Sequence, residues 1–525
     1  MRTFTRRDFL RGTAAAAATI ALGLTAGLGA SEASAQAASP GINGGDTASG
    51  LTELSGLLTG TLLLPTDAGY DPASTPANGR YRNIRPIAVA QVADEADIVT
   101  CVNWCRRMGV APVARAGGHS YAGFSTTTGL LIDISKLNSF SVDPHAGTAT
   151  SGGAALNADL FRATADTPLF LPGGTCLGVG LGGLTLGGGI GYNTHWAGLT
   201  SDHLLATRIV TASGQVLDLD PSANSDLFWA CRGGAGGSFG INTSFTYELV
   251  PVPMQNISYY RFDYRGADAA AAVLNTFHTI LQSAPAALNA VAMAQASPVG
   301  AGGPREAIDV MSRGQYVGPV DELRDLVSPL LRVATPTKTA LQAKTFWDTQ
   351  RIWVTEEPPV HSFGDISRYA PAPIPDSVVQ QLVELLVNCP SRTDNSNGAI
   401  WSLGWIGGDV VNAIGRTDTA YVHRNMLTLL RPTPVWEDND PPSVGDGLIA
   451  WTQEAIDAIA PYTPNESYQN FPNRAIDDWQ TAYFAENLER LIDVKTKYDP
   501  TNLFANPQSI PVRLPVPVQV PVSRT

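Results

Sequence analysis

Gly173-Gly174-Thr175-Cys176-Leu177-Gly178-Val179-Gly180-Leu181-Gly182-Gly183, running on to Gly187-Gly188-Gly189-Ile190-Gly191, holds ten glycines and no charged residue. A run this rich in glycine is expected to form neither a helix nor an ordinary strand. Glycine lets main chain approach a ligand closely and present N–H groups to an anion. Cys176 is the one reactive side chain in the run. Arg115-Ala116-Gly117-Gly118-His119-Ser120-Tyr121 is a second loop of the same kind, with His119 as its nucleophile and Arg115 available for a diphosphate. A third glycine cluster spans Gly233 to Gly240. In a chain of formal net charge −13, such loops suggest a phosphate-bearing cofactor cradled by main chain rather than by lysines.

Outward from these loops the pattern alternates. Pro86 to Ala90 and Val110 to Val113 read as strands flanking a helix over Ala93 to Met108, which is acidic early and has Arg106-Arg107 late, as the helix dipole favours. Leu130 to Ile134, Phe140 to Val142 and Leu204 to Val216 read as further β structure. Residues 36–80 read as a lead-in of low charge. After about residue 252, helices (Asp268 to Leu281, Val320 to Leu331, Ser377 to Val387) alternate with extended runs (Ala399 to Ile406, Ala420 to Leu430) in a tryptophan-rich region. Trp479 to Lys497 reads as one amphipathic helix, before an extended Pro/Val tail.

The 525 residues suggest two or three domains, and 44% hydrophobic with 15% charged residues exclude a disordered chain. Five cysteines are too few for a disulfide scaffold. The negative charge argues against nucleic acid or anionic lipid as partner. Thr5-Arg6-Arg7-Asp8-Phe9-Leu10 is a twin-arginine signature, followed by a small apolar run and the Ala33-Ser34-Ala35 cleavage site. The mature protein is therefore expected to be secreted or periplasmic, with no membrane contact once the signal is removed. The twin-arginine route carries folded proteins, which suits one loaded with a cofactor before export.

Two motifs mislead. Gly178-Val179-Gly180-Leu181-Gly182-Gly183 fits the dinucleotide fingerprint, with Asp202 downstream, but that fingerprint needs a strand before it and a helix after it. The sequence that follows, Leu184 to Gly191, is broken by glycine. Gly236-Gly237-Ser238-Phe239-Gly240 fits the hydrolase elbow, yet Ile241 to Tyr247 alternates like a strand where a helix should begin. The seven histidines show no metal-ligand spacing, so no metal site is expected. Cys101, Cys105, Cys231 and Cys389 read as packing residues.

Taken in order, four segments resemble the berberine-bridge-enzyme-like branch of the vanillyl-alcohol-oxidase, or p-cresol methylhydroxylase-type (PCMH-type), flavoproteins. They are Arg115 to Tyr121, Gly174 to Gly191, Asp226-Leu227-Phe228-Trp229 through Gly240-Ile241, and Tyr498-Asp499-Pro500 through Ile510. The third departs slightly, its glycines interrupted by Ala235. The resemblance implies an α+β fold: a two-part PCMH-type FAD-binding domain and a substrate domain whose antiparallel sheet is flanked by helices. The expected division is signal 1–35, lead-in 36–80, FAD-binding domain 81–252, substrate domain 253–465, and a C-terminal segment 466–525 returning to the FAD domain. It further implies FAD bound twice, through His119 to the 8α-methyl and through Cys176 to C6; both ring positions are electrophilic, and imidazole and thiolate are suitable nucleophiles. The implied cofactor contacts are Arg115, Ala116, Gly117, Gly118, His119, Ser120, Gly174, Cys176, Val179, Gly180, Gly183, Gly188, Gly240, Ile241 and Asn470.

Hydride loss from a C–H bond requires a base for the neighbouring O–H or N–H proton. Saccharide-oxidising relatives are expected to use the last tyrosine of a Y-x-N-Y motif. Here the segment is Tyr468-Gln469-Asn470-Phe471, so the position of that base holds phenylalanine. Tyr468 is the leading replacement, Tyr421 and Tyr121 are alternatives, and a substrate needing no strong base is a further option. Val179 stands where the resemblance implies a gate to oxygen, and valine leaves volume for dioxygen. The expected reaction is oxidation of an alcohol or hemiacetal of a saccharide or polycyclic natural product, with O2 reduced to H2O2. Trp353, Trp401, Trp405, Tyr421 and Phe471 are candidate stacking surfaces for it. The alternative is a flavin dehydrogenase or oxidative cyclase acting on an alkaloid- or polyketide-like scaffold. A third reading, a binding protein with vestigial flavin, rests on Phe471.

Overall fold

The computed structural model describes residues 44–299, 307–354 and 360–513; the export signal and the Pro/Val tail fall outside them. The first sheet contains β1 (Thr61–Leu63), β2 (Ala88–Gln91), β3 (Pro112–Arg115) and β4 (Leu130–Asp133), in the order β1-β2-β4-β3. β2 and β3 both lie parallel to β4. Parallel strands need a crossover, and the helix Glu95–Met108 provides it between β2 and β3. Asp94 caps that helix by accepting from the Asp97 N–H, and Gly109 ends it at φ +64°, a conformation open to glycine at little cost. Its buried face presents Ile98, Cys101, Val102 and Cys105 to Ala88, Leu130 and Ile132.

The lead-in is more structured than its composition suggests. The helix Gly44–Leu57 buries Leu54 in this core and accepts a hydrogen bond from Trp104 Nε1 at Gly50 O (2.9 Å), while β1 pairs antiparallel with β2.

β5 (Phe140–Asp143), β6 (Thr148–Gly152), β7 (Leu169–Phe170), β8 (Leu204–Thr211), β9 (Val216–Leu219), β10 (Gly240–Glu248) and β11 (Val250–Pro251) come next. Five of them form an antiparallel sheet of order β5-β6-β10-β8-β9, and β7 pairs with β11. A six-residue helix, Leu181–Leu186, forms inside the glycine run, contrary to the sequence expectation. Leu181, Leu184 and Thr185 bury its inner face and outweigh the two glycines. The two-residue β7 before it pairs only with β11, so no dinucleotide-binding βαβ unit exists here. β10 follows the Gly236–Gly240 motif, as the alternation predicts.

The third sheet consists of β12 (Ile257–Arg265), β13 (Leu288–Ala296), β14 (Ile308–Val317), β15 (Lys338–Lys344), β16 (Ser362–Phe363), β17 (Arg368–Ala370), β18 (Asn397–Leu403) and β19 (Thr428–Trp436). Its order is β15-β12-β14-β13-β18-β19-β16, with β17 also on β19, and every pairing is antiparallel. Side chains alternate across it. Tyr260, Phe262, Ala290, Ala292 and Leu430 face the helices Ala267–Ser283, Val320–Val333, Asp376–Val387 and Pro442–Ile459. Tyr259, Val291, Leu403 and Leu429 face the other way, onto Ile190, Tyr192, Tyr421 and Tyr468. The sheet thus roofs the glycine run, in an α+β architecture.

Two extended or helical expectations give way. Ala420 to Asn425 is irregular, and the strand begins at Thr428; Tyr421 N–H donates out of line, to Arg232 O (3.0 Å). The helix expected over 479–497 is two, Trp479–Phe484 and Leu488–Tyr498, broken where Ala485 adopts φ +39°. The C-terminal signature packs back on the first part of the chain. Phe504 joins the core of the first sheet, and buried Lys495 donates to Ser238 O (2.6 Å), Phe504 O (2.8 Å) and Asp499 (2.6 Å).

Candidate active site where two glycine loops meet

The His119 loop and the Cys176 loop touch backbone to backbone. A methyl group on Gly117 would lie 2.5 Å from Gly178 O and 2.6 Å from Gly180 N, and one on Gly180 would lie 3.1 Å from Ala116 Cβ. Only glycine permits that approach, and it brings both nucleophile-bearing loops to one place. Gly118, at φ +74°, turns the first loop; its carbonyl accepts from Ala77 N–H and Ser125 Oγ. Ser120 Oγ accepts from Phe124 N–H (2.9 Å). The second loop is pinned by Asn157, which the sequence reading did not single out. Its Oδ1 accepts from Gly174 N–H (3.2 Å) and its Nδ2 donates to Cys176 O (2.8 Å). A polar residue at a helix start gives no sequence signal of such a role.

Cys176 differs physically from the other four thiols. Cys101, Cys105, Cys231 and Cys389 are buried, whereas Cys176 is half-exposed. Burial pushes the Cys101 and Cys231 thiols up to about 12, and Cys389 to about 11. Those groups stay protonated and inert. Among the cysteines, Cys176 alone has the access that a nucleophile needs.

Several expected contacts have other duties. Arg115 is buried, and its guanidinium donates to the carbonyls of Ser125, Ala73, Ser74 and Thr75; it ties the loop to the strand rather than waiting for a diphosphate. Ile241 is a core residue beside Val210 and Phe504, so only its main chain and that of Gly240 can serve a ligand. Asn470 Nδ2 donates to Leu184 O (2.9 Å) and Tyr468 Oη (3.0 Å), holding the glycine run. Gly188, at φ +112°, lies against the Tyr421 ring, whereas a Cβ on Gly183 would meet nothing.

The three tyrosines separate clearly. Tyr468 is 1% exposed, and its oxygen accepts from Gly189 N–H (3.0 Å), Ile190 N–H (3.2 Å) and Asn470. Burial pushes this phenol up despite those donors. Tyr421 is fully buried and hydrogen-bonded to Tyr369 (2.7 Å), and burial raises it too. Both pack against the glycine run. Tyr121, two residues past His119, is only half-buried, and its ring meets the same Phe471 that Tyr468 packs against. It stacks on Phe471 at 4.9 Å and accepts from Arg431 at 3.0 Å.

Arg431 and Asp365, both absent from the sequence-based candidates, complete this corner. Arg431 Nε donates to buried Asp365 (2.7 Å), and its guanidinium lies 4.4 Å over the Phe471 ring. Burial would lower Arg431, but Asp365 and Tyr121 hold it above the usual arginine range. Tyr192 is stacked on Trp353 at 4.1 Å, and the two rings line a cleft with Gly173, Gly174 and Thr175. Burial raises the Tyr192 phenol; the Arg313 and Arg431 cations pull it down, and Cys176 reinforces the rise. Of the expected stacking surfaces, Trp353, Trp405 and Tyr421 are buried, while Trp401 and Phe471 are partly exposed.

Comparison with known proteins decides the family. The FAD-binding domain family matches residues 86–220 and the berberine and berberine-like family matches 467–511. The FAD-linked oxidoreductase YgaK of Bacillus subtilis is 30% identical over 465 residues, covering 86% of this chain and 97% of the relative. The chain belongs to the berberine-bridge-enzyme-like FAD-linked oxidoreductases. Chitooligosaccharide oxidase of Gibberella zeae is 29% identical over 468 residues, covering 85% of this chain and 92% of that protein. The structure of chitooligosaccharide oxidase superposes with a TM-score of 0.76 at 26% identity, over 89% of this chain and 99% of that one. The glucooligosaccharide oxidase of Acremonium strictum, whose FAD is 6-S-cysteinyl and 8α-N1-histidyl, gives 0.76 at 25% identity, over 88% and 98%. This family member is an FAD-dependent oxidoreductase. Residues 3–23 match the twin-arginine translocation signal, which directs it to the periplasm or beyond. Among the described residues no helix is long and apolar enough to cross a membrane.

The site fits FAD. Irregular, glycine-rich main chain on two abutting loops suits a diphosphate and a flat ring, and the one accessible thiol sits on the same loop pair.

Proposed function

We propose that this protein is an exported oxidase whose FAD is held through both His119 and Cys176. It converts a CH–OH group of a saccharide or polycyclic natural product to C=O, while O2 becomes H2O2. The bound flavin supplies the hydride acceptor; the chain supplies position and a proton acceptor. The observation that carries the reading is the direct contact of the two glycine loops, each with one nucleophile, as in an architecture where relatives bear a doubly linked flavin. Val179, half-buried three residues after Cys176, is small, which supports access of dioxygen to the ring.

Tyr121 takes the substrate's hydroxyl proton at its phenolate oxygen. Arg431, donating to that oxygen, compensates the negative charge, and Asp365 fixes the guanidinium. This arrangement replaces a tyrosine at 471 by one on the neighbouring loop, stacked against Phe471. The partly exposed ring of Trp401 favours a substrate with a flat or ring-shaped apolar face.

The test begins with acid-precipitated protein. A yellow pellet, an intact mass raised by one FAD, and adducts on the His119 and Cys176 peptides are expected; colourless protein overturns the proposal. With an oxidised substrate in hand, Tyr121→Phe should lower kcat/KM by about 10²–10⁴-fold, as loss of a general base does, with the flavin still attached. A flavin reduced anaerobically should reoxidise fast in air; slow reoxidation would favour a dehydrogenase or oxidative cyclase.

A further inference from the structure

Arg313 stands on the flavin-facing side of β14, opposite Val291 of β13 and Arg261 of β12. Its neighbour Arg261 is paired with Asp263 (2.8 Å), and Arg431 is paired with Asp365. Arg313 has no carboxylate partner among the described residues. Its guanidinium lies 4.5 Å from the Trp353 ring and donates to Tyr192 Oη (3.2 Å), and its Nε is buried without a hydrogen-bond partner. The side chain is half-buried and part of its donor fork is unspent, so an anionic ligand can complete it. Arg313 borders the site, because its partners Tyr192 and Trp353 line one cleft with Gly173, Gly174 and Thr175 of the Cys176 loop. Aromatic stacking fixes the plane of the guanidinium, which preorganises its edge for a flat anion.

We infer that the substrate of this enzyme carries a carboxylate, and that Arg313 binds it through a charge-assisted, two-pronged contact. Within the proposed oxidase reaction, on which this inference rests, the substrate is an acidic saccharide whose uronate group lies beside the ring being oxidised. The overall acidity of the chain makes an unpaired cation at this spot the more distinctive, since the surrounding field repels anions elsewhere. Arg313 is a specificity residue and takes no proton.

The experiment uses the flavin-loaded enzyme and two probes of equal size, glucuronate and glucose, followed through the visible flavin spectrum. Glucuronate is expected to perturb the spectrum saturably and glucose to need at least about tenfold more. Arg313→Met should weaken glucuronate by ~10–100-fold, the range for a lost charge-assisted bond, and leave glucose unchanged; Arg313→Lys should keep part of the preference. An unaltered flavin spectrum in the free variants certifies folding. Equal binding of the two probes by the wild type, or an equal loss of both in Arg313→Met, overturns the inference. The carboxylate titration needs no turnover, so it stands or falls separately from the oxidase reading: bleaching by neutral sugars with no carboxylate preference sinks only the role of Arg313.

Discussion

Tyr468 and Tyr121 illustrate how burial divides the work between two chemically identical side chains. Three N–H donors converge on Tyr468 Oη inside the protein, so deleting the hydroxyl strands Gly189, Ile190 and Asn470 without their acceptor. Tyr468→Phe should cost about 1–3 kcal/mol of stability, the usual penalty for buried groups left unsatisfied, and leave kcat within a few-fold. Tyr121→Phe should do the reverse, since its oxygen loses one part-buried arginine contact while the reaction loses its proposed base. Thermal melting and steady-state kinetics on both variants check the contrast; a Tyr468→Phe enzyme that melts normally but does not turn over would reverse the assignment. The motif Y-x-N-F made Tyr468 the natural choice from sequence because it lies nearest to the vacant position. Sequence proximity says nothing of how deeply a ring is buried or how many donors already hold its oxygen. Arg431 and Asp365 were invisible for a related reason: their pairing joins residues 66 positions apart, and neither stands in a motif.

At the scale of elements, the glycine run and the His119 loop were legible because glycine density has few structural explanations. The helix Leu181–Leu186 was not, because propensity argued against it and burial of Leu181 and Leu184 overrode propensity. The same density carries a sharp expectation. Gly117 meets main-chain atoms, Gly178 O and Gly180 N, which no rotamer change can move aside. Gly117→Ala must therefore separate the two loops. The variant should fold, with the helices and the third sheet intact by circular dichroism, but emerge with little or no covalent flavin, measured as the ratio of absorbance near 450 nm to protein and by intact mass. Gly183→Ala, where a methyl group meets no protein atom, tests whether the cofactor occupies that open side: flavin loading should fall there as well. Full loading of Gly117→Ala would mean that the loops do not need to touch.

On the scale of the whole molecule, acid should unfold this protein through histidines as well as carboxylates. Burial pushes His278 down to about 4, and it lowers His195 and His423 against the opposing pull of Ala286 O and of Glu466 respectively. In all three the folded chain favours the uncharged ring, whereas an unfolded histidine titrates near ~6.5. The unfolded state therefore binds more protons below that value, and stability falls as pH drops. Above ~6.5 the effect is absent. The gap of about 2.5 units makes the His278 share roughly 3 kcal/mol by pH 4. His278 hydrogen-bonds Ser402 between a helix and the third sheet, so its protonation strikes the core that holds the roof over the flavin loops. Melting temperature should decline steeply from pH 6.5 to 4, and His278→Gln, which keeps a donor for Ser402 and cannot charge, should flatten part of that decline while lowering stability modestly at pH 7. A profile level across that window, or an unchanged slope in the variant, would place the acid sensitivity elsewhere. Because the lost stability lies in the roof, flavin fluorescence should rise together with unfolding rather than before it.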